Sequence, residues 1–191
     1  MLEWELTEAD EPRVANFSLP ISGSQARLLL RGEKQPGELH AAPSEAGRFA
    51  DLIGLGWATL YAVSPKFSSC VRDLSGVSLI PVQLNHGPVG YALLGAIGRC
   101  GRVDYSRSEV IERSGKFMTL RGLHVTEPTD AVDFAIPSNR ESILISSRAA
   151  AVIRSARLDN VGLVRLDAVE FDISEDMIKS ATDGGAEWPP A

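Results

Sequence analysis

Ser64 and Ser146 lie 82 positions apart, and each stands between a short apolar strand signal and the start of an apolar-striped helix signal. Around the first, Tyr61-Ala62-Val63 leads into Ser64-Pro65, after which Phe67, Cys70, Val71 and Leu74 fall at i, i+3, i+4 and i+7. Serine caps the free N–H groups of a helix start and proline suits its first turn, so an amphipathic helix is expected over about 65–74. Around the second, Ile143-Leu144-Ile145 leads into Ser146-Ser147, and Ala149, Val152, Ile153 and Ala156 repeat the stripe at the same offset. That places a second helix over about 147–157. Val77 to Leu84 follows the first helix as a strand, and Val161 to Leu166 follows the second after a longer, four-residue exit. A strand–capped helix–strand unit used twice implies an α+β fold with few helices and a mixed or mainly antiparallel sheet. Two copies are too few for a solenoid.

The remaining signals are weaker. Asn85-His86-Gly87-Pro88 reads as a turn that returns Val89 to Ile97 as the hairpin partner of 77–84. Pro81 has no N–H to give a ladder and is expected at an edge or a bulge. Gln25 to Arg31 reads as a first core strand, Gly32 to Gly47 as a loop broken by Pro36, Gly37 and Pro43, and Trp57 to Val63 as a strand. Arg48 to Leu55 admits a short helix ended by Gly54 and Gly56. Phe117 to Val125 and Val132 to Ile136 read as strands, and Ser174 as the cap of a helical turn through Ile178. The division expected is an irregular or edge-strand region over 1–48, an α+β domain over 49–172, and an acidic, partly disordered tail over 173–191.

Composition narrows the class. With 191 residues, 44% apolar and 23% charged, the chain has enough apolar mass for a core and is not a disordered polymer. No stretch approaches the roughly 18 apolar residues a membrane helix needs, and the acidic start Met1-Leu2-Glu3-Trp4-Glu5 lacks the pattern of a signal peptide. Two cysteines, Cys70 and Cys100, make neither a disulfide framework nor a four-cysteine metal site. A cytoplasmic chain with no membrane contact, no cofactor and no metal is expected. Net charge is −6, and the acids gather at the ends. Glu3, Glu5, Glu8, Asp10 and Glu11 stand against Arg13 alone, and seven acids from Asp167 onward stand against Lys179 alone, so the middle is mildly basic. Acidic ends disfavour nucleic acid and can steer a basic protein.

Catalytic templates fail. The chain has no G-x-S-x-G elbow, no phosphate-binding P-loop and no H-E-x-x-H helix. Gly54-Leu55-Gly56 opens like a dinucleotide fingerprint, but Thr59 stands where the third glycine belongs. Gly95-Ala96-Ile97-Gly98 falls within or at the end of a strand, where a bulge or close backbone approach explains it better than a nucleic-acid clamp. His40, His86 and His124 are dispersed, without ligand spacing. The segment Arg99 to Arg121 interleaves Tyr105 and Phe117 with six basic residues, but Asp104, Glu109 and Glu112 interrupt it, so a salt-bridged surface is expected rather than a nucleic-acid groove.

Four pieces in order carry a family resemblance: Tyr61-Ala62-Val63-Ser64-Pro65-Lys66-Phe67; Leu79-Ile80-Pro81-Val82; Gly90-Tyr91-Ala92-Leu93-Leu94 leading to Arg102-Val103-Asp104-Tyr105-Ser106-Arg107-Ser108; and Ile143-Leu144-Ile145-Ser146-Ser147. On these the chain resembles a bacterial immunity-protein family of polymorphic toxin systems, immunity family eleven, from about Phe49 to Phe171. It departs from that pattern at Val132-Asp133-Phe134-Ala135-Ile136, where a Phe-Arg pair is expected. The resemblance implies a non-enzymatic cytoplasmic protein whose partner is a cognate protein toxin. A small-ligand-binding or regulatory α+β domain, and a hydrolase whose site assembles only in three dimensions, are the alternatives. Asp167, Glu170 and Asp172 alternate along a strand beside Leu166, Val169 and Phe171, with a one-residue slip that places a bulge near Ala168. Glu175 and Asp176 extend the same acidic run, and these five residues are the expected partner contacts.

Overall fold

The structure, a computed structural model, describes residues 1–9, 11–33, 37–57, 59–127 and 132–182. In chain order the elements are β1 (Leu2–Glu8), β2 (Asn16–Ser18), α1 (Gly23–Leu30), β3 (Leu39–Glu45), β4 (Leu52–Gly54), β5 (Tyr61–Val63), α2 (Pro65–Val71), β6 (Val77–Leu84) and β7 (Ala92–Ala96). They continue with β8 (Gly98–Cys100), β9 (Glu109–Ser114), β10 (Phe117–Arg121), β11 (Phe134–Pro137), β12 (Leu144–Ser146), α3 (Ser147–Ala156), β13 (Val161–Arg165), β14 (Glu170–Ser174) and α4 (Glu175–Thr182). This is the mainly-sheet α+β fold expected, with a six-stranded sheet β2-β3-β6-β7-β5-β4, a five-stranded sheet β13-β1-β12-β11-β8 and a three-stranded sheet β14-β10-β9. Only β3 with β6 and β8 with β11 pair in parallel among the described strands.

The two capped helices form where the stripes place them. Ser64 Oγ accepts the Phe67 N–H at 3.1 Å, and Ser146 Oγ accepts the Ala149 N–H at 3.1 Å. Phe67 and Ala149 are fully buried, Val152 packs against the same core, and α2 and α3 lie against each other.

The repetition extends beyond the helices. Leu52 faces Val63 and Ile53 faces Ala62 in the first half; Phe134 faces Ile145 and Ala135 faces Leu144 in the second, the same register 82 residues on. In the first half β7 lies between β5 and β6, with Ala92 opposite Val63 and Pro81. In the second half β1 takes that place between β12 and β13, with Trp4 opposite Ile145 and Arg165. The N-terminal strand therefore completes the C-terminal half.

Two aspartates at matching positions tie the halves together. Asp51 accepts the Ser64 hydroxyl on one oxygen and the Asp159 N–H at 2.9 Å on the other. Asp133 accepts the Ser146 hydroxyl at 2.7 Å on one oxygen and, on the other, the Ser75 N–H at 3.0 Å and the Ser75 hydroxyl at 3.1 Å. Each carboxylate thus joins the helix start of its own half to the helix exit of the other. Lys66 and Arg148, also 82 positions apart, stand 3.5 Å from Asp51 and Asp133 respectively.

Several local expectations are corrected. Residues 25–31 are not a core strand but most of α1: Ser22 and Gln25 make a reciprocal capping box, and Ala26, Leu29 and Leu30 bury one face. The stretch 32–47 is not only loop, since it holds β3, whose residues are mostly exposed and so leave no apolar period to read. Residues 48–55 form no helix; β4 lies there. The strand expected from Trp57 begins only at Tyr61. β1 is neither irregular nor an edge, because β12 and β13 flank it. Its glutamates are accommodated there: Glu5 accepts the Ser142 hydroxyl, and Glu8 accepts the Gly54 N–H at 2.9 Å and the Asn160 amide at 3.3 Å. The slip near Ala168 is a 3₁₀ turn, Leu166–Ala168, that carries the chain from one sheet to another. Of the expected acidic tail, residues 183–191 lie outside the described residues.

Candidate interaction surface

The three-stranded sheet has its own small core. Met118 and Leu120 of β10 and Phe171 and Ile173 of β14 point one way, onto Val103, Tyr105, Leu123 and Val169. Period-two alternation then sends Phe117, Thr119 and Arg121, with their cross-strand neighbours, to the other face. Buried Asn139 anchors this small core to the second half, accepting the Val103 N–H at 2.7 Å and donating to the Val103 carbonyl at 3.0 Å. Arg140 adds a guanidinium over the Phe171 ring at 4.4 Å.

The outer face is open to solvent and carries three rows. Glu109, Arg121 and Glu170 form the first, Glu112, Thr119 and Asp172 the second, and Ser114, Phe117 and Ser174 the third. Arg121 reaches Glu170 at 2.7 Å and Glu109 at 3.6 Å. Thr119 donates to Asp172 at 2.6 Å. Among the described residues, neither Glu112 nor Asp172 has an ion-pair partner, so the centre of the face holds two unneutralised carboxylates. Phe117, 61% exposed, stands at its end.

Of the five expected contact residues, Glu170 and Asp172 are brought together on this face. Glu175 and Asp176 begin α4 at its margin, paired with Arg113 at 3.5 Å and Lys116 at 3.8 Å. Asp167 lies apart in the 3₁₀ turn, paired with Arg165 at 3.1 Å. The basic segment supplies those partners: Arg113, Lys116 and Arg121 all meet acids, a salt-bridged surface as expected from the interleaved charges. Sequence reasoning missed Glu109 and Glu112 as members of the face. They stand three positions apart, which is not a strand's period, and only the register shift opposite Thr119 and Leu120 brings both to the side of Glu170 and Asp172.

Asp133 and Asp51, away from this face, are engaged in structural hydrogen bonds. Burial raises the Asp133 pKa, but the Ser146 and Ser75 hydrogen bonds with Arg148 more than offset it and hold the carboxyl below its ordinary value. Asp51 is likewise lowered, burial being outweighed by Ser64, the Asp159 N–H and Lys66. A carboxyl with a depressed folded-state pKa stabilises above the ordinary carboxylate range and loses that contribution as pH falls through the folded value. Thermal midpoints should therefore be level near neutrality and fall below about pH 4, and the fall should shrink in an Asp51→Asn, Asp133→Asn double variant. An equal acid slope in both proteins would assign it to other groups.

Burial pushes the Cys100 thiol up to about 11, which disfavours the thiolate a nucleophile would need. Among the described residues, no group of three His, Cys, Asp or Glu side chains is placed to hold a metal ion, and no helix is long and apolar enough to cross a membrane. A groove of about 460 Å³ lies elsewhere, between Leu39 and the Pro81–Val89 hairpin region. No family model matches this chain, and no curated protein matches it.

Proposed function

We propose that this protein is a non-enzymatic immunity protein that binds and neutralises a cognate protein toxin in the bacterial cytoplasm, meeting it with the outer face of the β14-β10-β9 sheet. The observation that carries the reading is the open face itself, where Glu112 and Asp172 stand unneutralised beside exposed Phe117. Toxins that act on nucleic acid need basic clefts, and an acidic face both complements such a cleft and speeds encounter with it. An exposed aromatic beside the charges supplies the kind of anchor on which interface affinity concentrates. The segments that resemble the immunity family support the same reading, because they build the paired halves on which this small sheet is mounted.

The test uses any toxin encoded beside this gene. Glu112→Lys with Asp172→Lys should slow association about tenfold or more at low salt and flatten its salt dependence. Both residues are exposed strand positions, so the fold should persist. Unchanged association kinetics would move the interface off this face. The second reading, a small-ligand-binding domain, is favoured by the Pro81–Val89 groove. It requires saturable binding of a small molecule that shifts the Val82 and Tyr91 amide resonances.

A further inference from the structure

β13 ends the five-stranded sheet, and among the described residues no strand pairs with its outer edge. It runs beside β1 through five consecutive residues, Val161 to Arg165, with no break in register. Exposed strand edges in folded proteins are ordinarily blunted by charge, proline or a bulge. β9 obeys this, carrying Glu109, Glu112 and Arg113 and a register shift between the partners of Thr119 and Leu120. β13 reads Val-Gly-Leu-Val with a single charge, Arg165, at its end.

A groove of about 240 Å³ runs along this edge, between the end of α3 and β13, lined by Ile153, Arg154, Arg157, Leu158, Val161 and Leu163. Its floor is apolar, since Ile153 is buried and Leu158, Val161 and Leu163 pack on the main core. Its rim is basic. The Arg154 guanidinium is held over the Trp4 ring at 3.9 Å, and the Arg157 backbone is pinned by Lys66, which donates to its carbonyl at 3.0 Å. Among the described residues, neither arginine side chain forms an ion pair. Both are exposed, with their charge available.

The geometry points to β13 as a strand-accepting edge, a binding site for an extended segment of another protein. Main-chain hydrogen bonds to the free edge would supply affinity. Every second side chain of the added strand would face the groove, so the segment is apolar at alternate positions. A carboxylate at its end meets Arg154 or Arg157, a charge-assisted contact stronger than a neutral hydrogen bond. This site is distinct from the acidic sheet face in position and in sign of charge, and it does not depend on what that face binds.

The probes are three acetylated, amidated peptides of alternating valine and threonine: one flanked by glutamate, one flanked by lysine, and one glutamate-flanked with a central proline. With the full chain, the glutamate-flanked peptide should shift and protect the Val161–Arg165 amides and bind about tenfold tighter than either of the others. Arg154→Glu with Arg157→Glu should reverse the preference between the two charged peptides; Arg157→Glu alone, which leaves the Trp4 stack in place, should narrow it. Equal binding of the glutamate and lysine peptides, tolerance of the proline, or binding without protection in β13 would overturn the assignment.

Discussion

Replacing Asp133 by alanine is expected to cost about 3 kcal/mol or more of folding stability. The side chain is 7% exposed and takes hydrogen bonds from the Ser146 hydroxyl and from both the N–H and hydroxyl of Ser75, with Arg148 at 3.5 Å. Its removal leaves the cap of α3 and the exit of α2 without their shared acceptor, in a place where water does not replace it easily. Asp51→Ala should cost less, because that side chain is 13% exposed and sits nearer solvent. Denaturant titration reads both, as a lower midpoint with unchanged slope. Because both aspartates lose their charge below the ordinary carboxylate range, each difference from the parent should narrow toward about pH 3. A loss for Asp133→Ala within about 0.5 kcal/mol, the size of an ordinary surface change, would mean that the carboxylate does not hold the halves together.

The second large effect is expected at Gly76, which follows α2. Its φ is +81°, and a Cβ built there would lie 2.2 Å from the carbonyl oxygen of Phe134 in β11. Gly76→Ala must therefore strain the turn and push apart the two halves, at a cost of roughly 3 kcal/mol or more. Gly115, at the tip of the β9–β10 hairpin, isolates the strain alone, since its φ is +62° and nothing lies within 4 Å of a Cβ there. Gly115→Ala should cost only about 1 kcal/mol. Equal losses at the two positions would show that the close approach to Phe134 is relaxed at no cost. Asn160 precedes β13 as Gly76 precedes β6; it is also left-handed, at φ +57°, and its amide donates to the Leu52 carbonyl at 2.9 Å. At Gly76 the Phe134 carbonyl oxygen occupies the space that a side chain would need, whereas the Asn160 side chain is buried with a partner of its own.

The helices and hairpins that lie on capping and stripe signals were legible, and so was the repetition, because Ser64, Ser146 and their apolar stripes are local patterns. What escaped was whatever depended on a distant partner. β1 reads as irregular or an edge because its alternation is weak and Pro12, Pro20 and Gly23 follow it, while the partners that hold its glutamates, Ser142, Gly54 and Asn160, are remote in sequence. Three leucines in a row made α1 look like a strand, although Ser22 and Gln25 already spelled its capping box. Asp51 and Asp133 share the 82-residue offset with the serines they bind, yet a lone aspartate before a strand carries no local signal of a cap shared between halves. On the candidate face, the alternation of Glu170 and Asp172 was readable. The addition of Glu109 and Glu112, and the neutralisation of Glu175 and Asp176, required the register of β9, β10 and β14.

The most direct measurement is calorimetric titration of the intact chain into any toxin encoded beside its gene, with toxin activity followed in the same samples. A saturable one-to-one complex is expected, with loss of toxin activity in step with occupancy and weaker binding as salt rises. No binding to that toxin, or binding that leaves its activity intact, would contradict the immunity reading itself.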